Sequence, residues 1–226
     1  MAEQKKNQAA SPVEEPTNGN EAFFLKYKNA IIGCVIAIVV CAGCALWYHN
    51  YSADKQTDAS TAIAKAQENF QNGMFELALN GDSTGTAGFL KIASEYSSTK
   101  AGNLANLYAG LCYANLDNWE EAAKYLEKFD TKDDQMISPA AVGALGNAYA
   151  HLNQLDKAVS TLVKAAEMAD NNSISPTLLI QAGQILEKQD KKAEALKLYK
   201  QVKEKYFRSM QSQYQTIDEY IERVSE

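Results

Sequence analysis

A unit of 36 or 37 residues appears three times in the second half of this chain, and it constrains the fold more tightly than any other feature. Its marker is a glycine, at Gly110, Gly146 and Gly183. Three residues on stand Tyr113, Tyr149 and Leu186, and twelve residues on stand Ala122, Ala158 and Ala195. Leu126, Leu162 and Tyr199 follow four positions after the alanines, with Phe129, Ala165 and Val202 three beyond those. Short polar turns separate the halves of each unit: Leu116-Asp117-Asn118, Asn153-Gln154 and Gln189-Asp190-Lys191. Ser138-Pro139 and Ser175-Pro176, again 37 apart, open two of the units and read as N-cap serines followed by first-turn prolines.

Such self-similarity marks a stacked array, in which each unit buries its apolar face only against its neighbours. Four prolines and twelve glycines are too few for a turn-dense β fold, and Ala, Leu, Lys, Glu and Gln dominate after Tyr51. The units are therefore expected to be helical hairpins. The glycine on the first helix lets the second approach closely at the alanine, and the tyrosine and leucine positions fill the space around that contact. This glycine–tyrosine–alanine–leucine pattern resembles the tetratricopeptide repeat, although the early tryptophan-like position holds Asn106, Val142 or Leu179 and the period is longer by two or three residues.

The resemblance implies hairpins near 60–100, 103–133, 139–170 and 176–205, with a capping helix at 210–224. The first of these is degenerate, with Gly88 to Tyr96 as its second helix and the glycine-rich stretch from Gly81 to Gly88 as an inter-helix turn. It also implies that the first helix of each pair lines a concave, protein-binding face. Carried over from the shared glycine, the candidate groove residues are Leu104, Leu107, Leu111 and Asn115 in the first unit, Asn147 and His151 in the second, and Ile180, Gln184, Glu187 and Lys188 in the third.

A second feature divides the chain. Residues 30–48, AIIGCVIAIVVCAGCALWY, carry no charge over nineteen positions. As a helix they span roughly 28 Å, close to the thickness of a bilayer's hydrocarbon. Phe23, Phe24 and Tyr27 precede the run, and Trp47, Tyr48 and Tyr51 follow it, as interfacial aromatics do. Lys26 and Lys28 before it place the N-terminus in the cytoplasm and the large C-terminal part across the membrane. A cleaved signal peptide fits less well, because its apolar core is shorter and its leader basic. Cys41-Ala42-Gly43-Cys44 resembles a lipobox with Cys44 as the lipidated residue, but Cys41 stands where an aliphatic residue is usual. The expected organisation is a disordered cytoplasmic tail at 1–22, rich in Gln, Asn, Glu, Ser and Pro, a transmembrane helix with aromatic flanks at 23–51, and a periplasmic tetratricopeptide domain at 52–226. The fold class is all-α: one transmembrane helix followed by a tetratricopeptide-type α-solenoid.

Several functions are excluded by composition. The net charge of −6 belongs to the part after the run, because four lysines and four glutamates cancel before it. An acidic domain lacks the clustered cations that nucleic acid requires. Cys34, Cys41 and Cys44 lie within the run, which leaves Cys112 without a disulfide partner. With two histidines, His49 and His151, far apart, no metal-binding spacing exists. The Gly81–Gly88 stretch lacks the Gly-Lys-Ser/Thr of a phosphate loop. No active site and no cofactor are expected, so the chain is not read as an enzyme.

A short cytoplasmic tail, one span and an exported tetratricopeptide solenoid together resemble the ancillary subunit family of the bacterial Sec translocon. That resemblance implies a scaffold in the inner membrane whose partners are the SecYEG channel, a periplasmic chaperone or unfolded client segments. Two other readings stand beside it: an outer-membrane assembly lipoprotein attached through Cys44, and a structural adaptor of another envelope machine.

Overall fold

The computed structural model describes residues 19–83 and 85–225. Most of the expected tail therefore lies outside the described residues. Eleven helices make up the described chain: α1 Gly19–Gln71, α2 Phe75–Asn80, α3 Phe89–Glu95, α4 Lys100–Asn115, α5 Trp119–Glu127, α6 Ile137–His151, α7 Leu155–Ala169, α8 Ser175–Lys188, α9 Lys192–Lys205, α10 Met210–Gln213 and α11 Thr216–Ser225. One isolated antiparallel bridge joins Gly81 to Ala87. The chain forms two units, divided between Tyr51 and Ser52.

In the first unit α1 carries the apolar run. Among the described residues this is the one helix long and apolar enough to cross a membrane. Many of its large side chains, Ile36, Ile38, Val39, Leu46 and Trp47 among them, are more than half exposed. A helix apolar on every side is stable where hydrocarbon surrounds it. At its ends Phe23 lies against Tyr27 and Trp47 stacks on Tyr51, with ring centroids 4.8 and 5.5 Å apart.

In the second unit each helix from α4 to α9 packs against the next in the chain, and the first-to-second helix turns are copies of one another. Asp117, Asn153 and Asp190 each adopt φ near +60° (57°, 57° and 61°). The N–H of the next residue reaches back five positions to the carbonyls of Tyr113, Tyr149 and Leu186, each at 2.9 Å. The turn residue itself donates to Ala114, Ala150 or Glu187. This is the Schellman closure of a helix C-terminus, and short polar side chains tolerate its left-handed residue. The same closure ends α1, with Gly73 at φ 73° and Met74 N–H donating to the Asn69 carbonyl at 2.9 Å. Thus the end of α1 is the first helix of the first hairpin. Ala66 stands seven residues before that turn, where the other units have glycine, and Ala78 stands five after it; both are fully buried. Here the second helix is split into α2 and α3 by the loop from Gly81 to Gly88, where a side chain at Gly88 would strike the backbone of Leu79 and Gly81. Replacing Asn153 with valine, which resists positive φ, is expected to cost about 1–2 kcal/mol by urea unfolding. Asn153→Gly should leave the midpoint unchanged or raise it.

The glycines do provide close approach, and the residue that fills each notch is the one four after the alanine. A Cβ on Gly110 would lie 2.6 Å from Leu126 Cγ, and one on Gly146 would lie 2.7 Å from Leu162 Cγ. At Gly183 the ring of Tyr199 occupies the same place. Ala122, Ala158 and Ala195 are fully buried beside these contacts.

The serines of the Ser-Pro pairs do not act as N-caps. Asp134 Oδ1 accepts from the N–H groups of Met136, Ile137 and Ser138 at α6, and Asn171 Oδ1 accepts from Ser173 and Ile174 at α8. An earlier side chain has taken the capping bonds, so the serines turn inward. Ser175 Oγ donates to the Ala166 carbonyl at 2.7 Å, and Ser138 Oγ accepts from Lys132 N–H at 2.8 Å. Together with Thr99 and Ser209, whose side chains cap α4 and α10, these hydroxyls are the buried polar side chains among the described residues.

Candidate functional site

The first helices α4, α6 and α8 lie side by side, and their shared face forms an open groove of about 530 Å³. Leu111 and Ala114 of α4, Ala144, Asn147, Ala150 and His151 of α6, and Gln181, Gln184, Ile185 and Lys188 of α8 line it, with Trp119 from the start of α5. Leu111, Asn147, His151, Gln184 and Lys188 were expected there, and they are brought together.

The other five candidates lie elsewhere. Leu107 and Ile180 are buried in the core, 8% and 7% exposed, because the neighbouring hairpin covers the edge of each first helix. Leu104 lines a different concavity, beside the turns before α4 and α6. Asn115 is exposed, and its Nδ2 donates to the Leu111 carbonyl of its own helix. Glu187 is held by the C-terminal cap: Arg223 gives it two hydrogen bonds, at 2.8 and 2.7 Å, and the Tyr199 hydroxyl donates to it as well. Reasoning from the glycine register places residues on a helix but does not place α11, and α11 claims Glu187 through Arg223.

The groove's most defined feature is an aromatic stack that the repeat pattern does not announce. The Trp119 and His151 rings lie parallel within 7°, with centroids 3.6 Å apart. His151 is the last residue of α6. Trp119 sits two residues past the Asp117 turn, a position occupied by Leu155 and Lys192 in the other units. A tryptophan where its counterparts are aliphatic or charged is the signal that could have found it. Polar groups are few and convergent: the amides of Asn147, Gln181 and Gln184, and the Lys188 ammonium. Gln184 Nε2 donates to the Tyr220 hydroxyl at 3.3 Å, whereas Gln181 Oε1 is buried with no partner among the described residues. Lys188 forms no ion pair among the described residues. Apolar walls with a few orienting amides, one flat aromatic surface and one cation suit the backbone and side chains of another polypeptide. No cluster of three His, Cys, Asp or Glu with metal-holding geometry occurs among the described residues.

The cap is pH-sensitive in a defined direction. The Arg223 guanidinium holds the Glu187 carboxyl below its ordinary value, against the opposing effect of burial. A carboxylate lowered on folding adds stability above its unfolded pKa and loses it as pH falls through the folded one. Docking of α11 is therefore expected to weaken as the pH drops below the ordinary value of 4.5. Because Arg223 is half-exposed, screening keeps this to about 1 kcal/mol. Amide hydrogen exchange in α11 checks it, and Glu187→Gln should abolish the acid dependence.

Comparison with curated protein sequences gives no match. Among solved structures, two crystal structures of Podosopora anserina kinesin light chain nearly identical TPR-like repeats, one of them a variant, resemble this chain at TM-scores of 0.53 and 0.52. Each is 15% identical and covers 75% of this chain and 94% of its own. At that identity they establish the fold alone, and it is a tetratricopeptide-like solenoid. A family model described as "T7SS, ESX-1 secretion system protein EccA1, N-terminal domain" matches residues 44–216. That match takes in three-quarters of the sequence and every hairpin built above, and the chain belongs to this EccA1 N-terminal domain family.

Proposed function

We propose that this protein is a membrane-anchored scaffold that binds other proteins in its solenoid groove and serves a secretion machine of the cell envelope. The observation that carries the reading is the Trp119–His151 stack set among the amides of Asn147, Gln181 and Gln184 in an otherwise apolar, open groove. The family's description as a secretion system protein supports the setting. Residues 30–48 supply the anchor, and Lys26 and Lys28 on its N-terminal side favour a cytoplasmic tail and a solenoid on the outer, periplasmic face of a bacterial inner membrane. In the most specific form of this reading, the machine is the SecYEG translocon and the solenoid links it to periplasmic chaperones or emerging client segments.

Affinity purification of the full chain from detergent-solubilised membranes tests this, with a Trp119→Ala, Lys188→Glu variant in parallel. Recovery of Sec subunits or a periplasmic chaperone by the parent, reduced in the variant, is the expected outcome. Groove-dependent recovery of another secretion machine would keep the scaffold and replace the Sec assignment. Recovery unchanged by the groove substitutions would refute the groove as the binding site.

A further inference from the structure

The solenoid exposes few large apolar side chains, and most of them share one edge. Met136, Ile137, Phe207 and Met210, between 53% and 68% exposed, lie in or beside the turns that lead from a second helix to the next first helix. Such a concentration on an otherwise polar surface marks a contact with another phase or molecule.

Hydrogen bonds join these turns into one row. Lys100 N–H donates to Gln56 Oε1 at 2.9 Å. The Asn103 side chain exchanges two hydrogen bonds with the Asp130 backbone, at 2.8 and 2.7 Å. Asn171 Nδ2 donates to the Gln135 carbonyl at 2.9 Å, Tyr206 donates to Asp170 at 3.1 Å, and Gln211 donates to Thr177 at 3.1 Å. A concavity of about 770 Å³ opens in the row, with Leu104, Phe129 and Ile137 apolar and Lys100, Lys128 and Lys132 at its rim. Although the chain is acidic, this edge is balanced: Lys132 and Lys205 pair with Asp130 and Asp170, and Lys100, Lys128 and Arg208 stand against Asp133 and Asp134, the latter capping α6. Arg208 lies beside the Phe207 ring, 5.4 Å from its centroid. Apolar and aromatic groups interleaved with cations are what a headgroup layer accepts.

Connectivity names the occupant. The row begins on Gln56, eight residues after Tyr48, and eight residues reach at most about 28 Å. A bilayer holding residues 30–48 thus keeps this end of the row within that distance of its surface. We propose that this row of turns is a lipid-contacting edge, with Met136, Ile137, Phe207 and Met210 at headgroup level and Lys100, Lys128 and Arg208 against lipid phosphates. The proposal rests on the reading of residues 30–48 as a membrane span.

The test uses the full chain, with its four cysteines replaced by alanine, in vesicles of phosphatidylethanolamine with about a quarter phosphatidylglycerol. A bimane label is placed by Met136→Cys, Phe207→Cys, Met74→Cys or Val39→Cys, and a nitroxide is carried by the lipid. Quenching at 136 and 207 should exceed that at 74, on the opposite edge, by about twofold or more. If 136 and 207 are quenched no more than 74 while 39 is quenched strongly, the edge proposal fails and the anchor stands. If 39 is not quenched, both fail. Circular dichroism of each labelled chain confirms that the helices are intact, since all four positions are exposed.

Discussion

Gly146→Val should lower the unfolding free energy of the solenoid by about 2–3 kcal/mol, against a gain of only about 0.5 kcal/mol in intrinsic helix propensity. The physical reason is local. The first atom of any side chain at this position would lie 2.7 Å from Leu162 Cγ, 3.0 Å from its Cδ2 and 3.2 Å from its backbone nitrogen. The leucine is fully buried, so it has no free volume to move into, and the backbone of α7 must retreat instead. For a domain of this size the loss corresponds to about 5–10 °C in the thermal midpoint. Leu162→Ala should cost about 2–4 kcal/mol by leaving a cavity. Combined with Gly146→Ala, whose methyl group enters that cavity, its cost should fall about 1 kcal/mol short of the sum of the two single changes. Additive behaviour would mean that α6 and α7 are not packed through this notch.

Trp119→Ala is expected to weaken partner binding by about 2 kcal/mol, roughly thirtyfold in affinity. Its indole presents a flat, half-buried surface at the groove wall, already ordered by His151, so little conformational entropy is lost when a partner covers it. His151→Ala leaves the indole in place and should cost less, while Trp119→Phe should retain part of the affinity. Titration of purified full chain with the partner recovered from membranes provides the measurement. Thermal unfolding of each variant separates lost binding from lost folding. An unaltered affinity in Trp119→Ala, with the fold intact, would remove the stack from the binding site.

Much of the fold was legible because three units repeat the same atoms of contact. Gly110, Gly146 and Gly183 stand out against helix-favouring neighbours, and each costs stability unless something needs the space. The first hairpin was harder to read for two reasons. Ala66 replaces the marker glycine, and the loop from Gly81 to Gly88 divides the second helix, so neither the marker nor the spacing survives. Gly73 and Ala78 do keep the register, and they are visible only once the left-handed turn residue is used as the anchor in place of the glycine. The Ser-Pro pairs misled about capping because Asp134 and Asn171, a few residues upstream, compete for the same N–H groups. In the groove, the helical register was sufficient for Leu111, Asn147, His151, Gln184 and Lys188. It could not foresee Trp119, which comes from a second helix, or the loss of Glu187 to Arg223, whose position depends on how α11 folds back.

Photo-crosslinking in living cells tests the central claim most directly, with a photoreactive amino acid placed at Asn147 or Gln184 in the groove and at Ser160 or Lys164 on α7. A groove that grips proteins predicts discrete protein adducts from positions 147 and 184 and few from 160 and 164. Adducts confined to α7, with the groove positions silent, would contradict it.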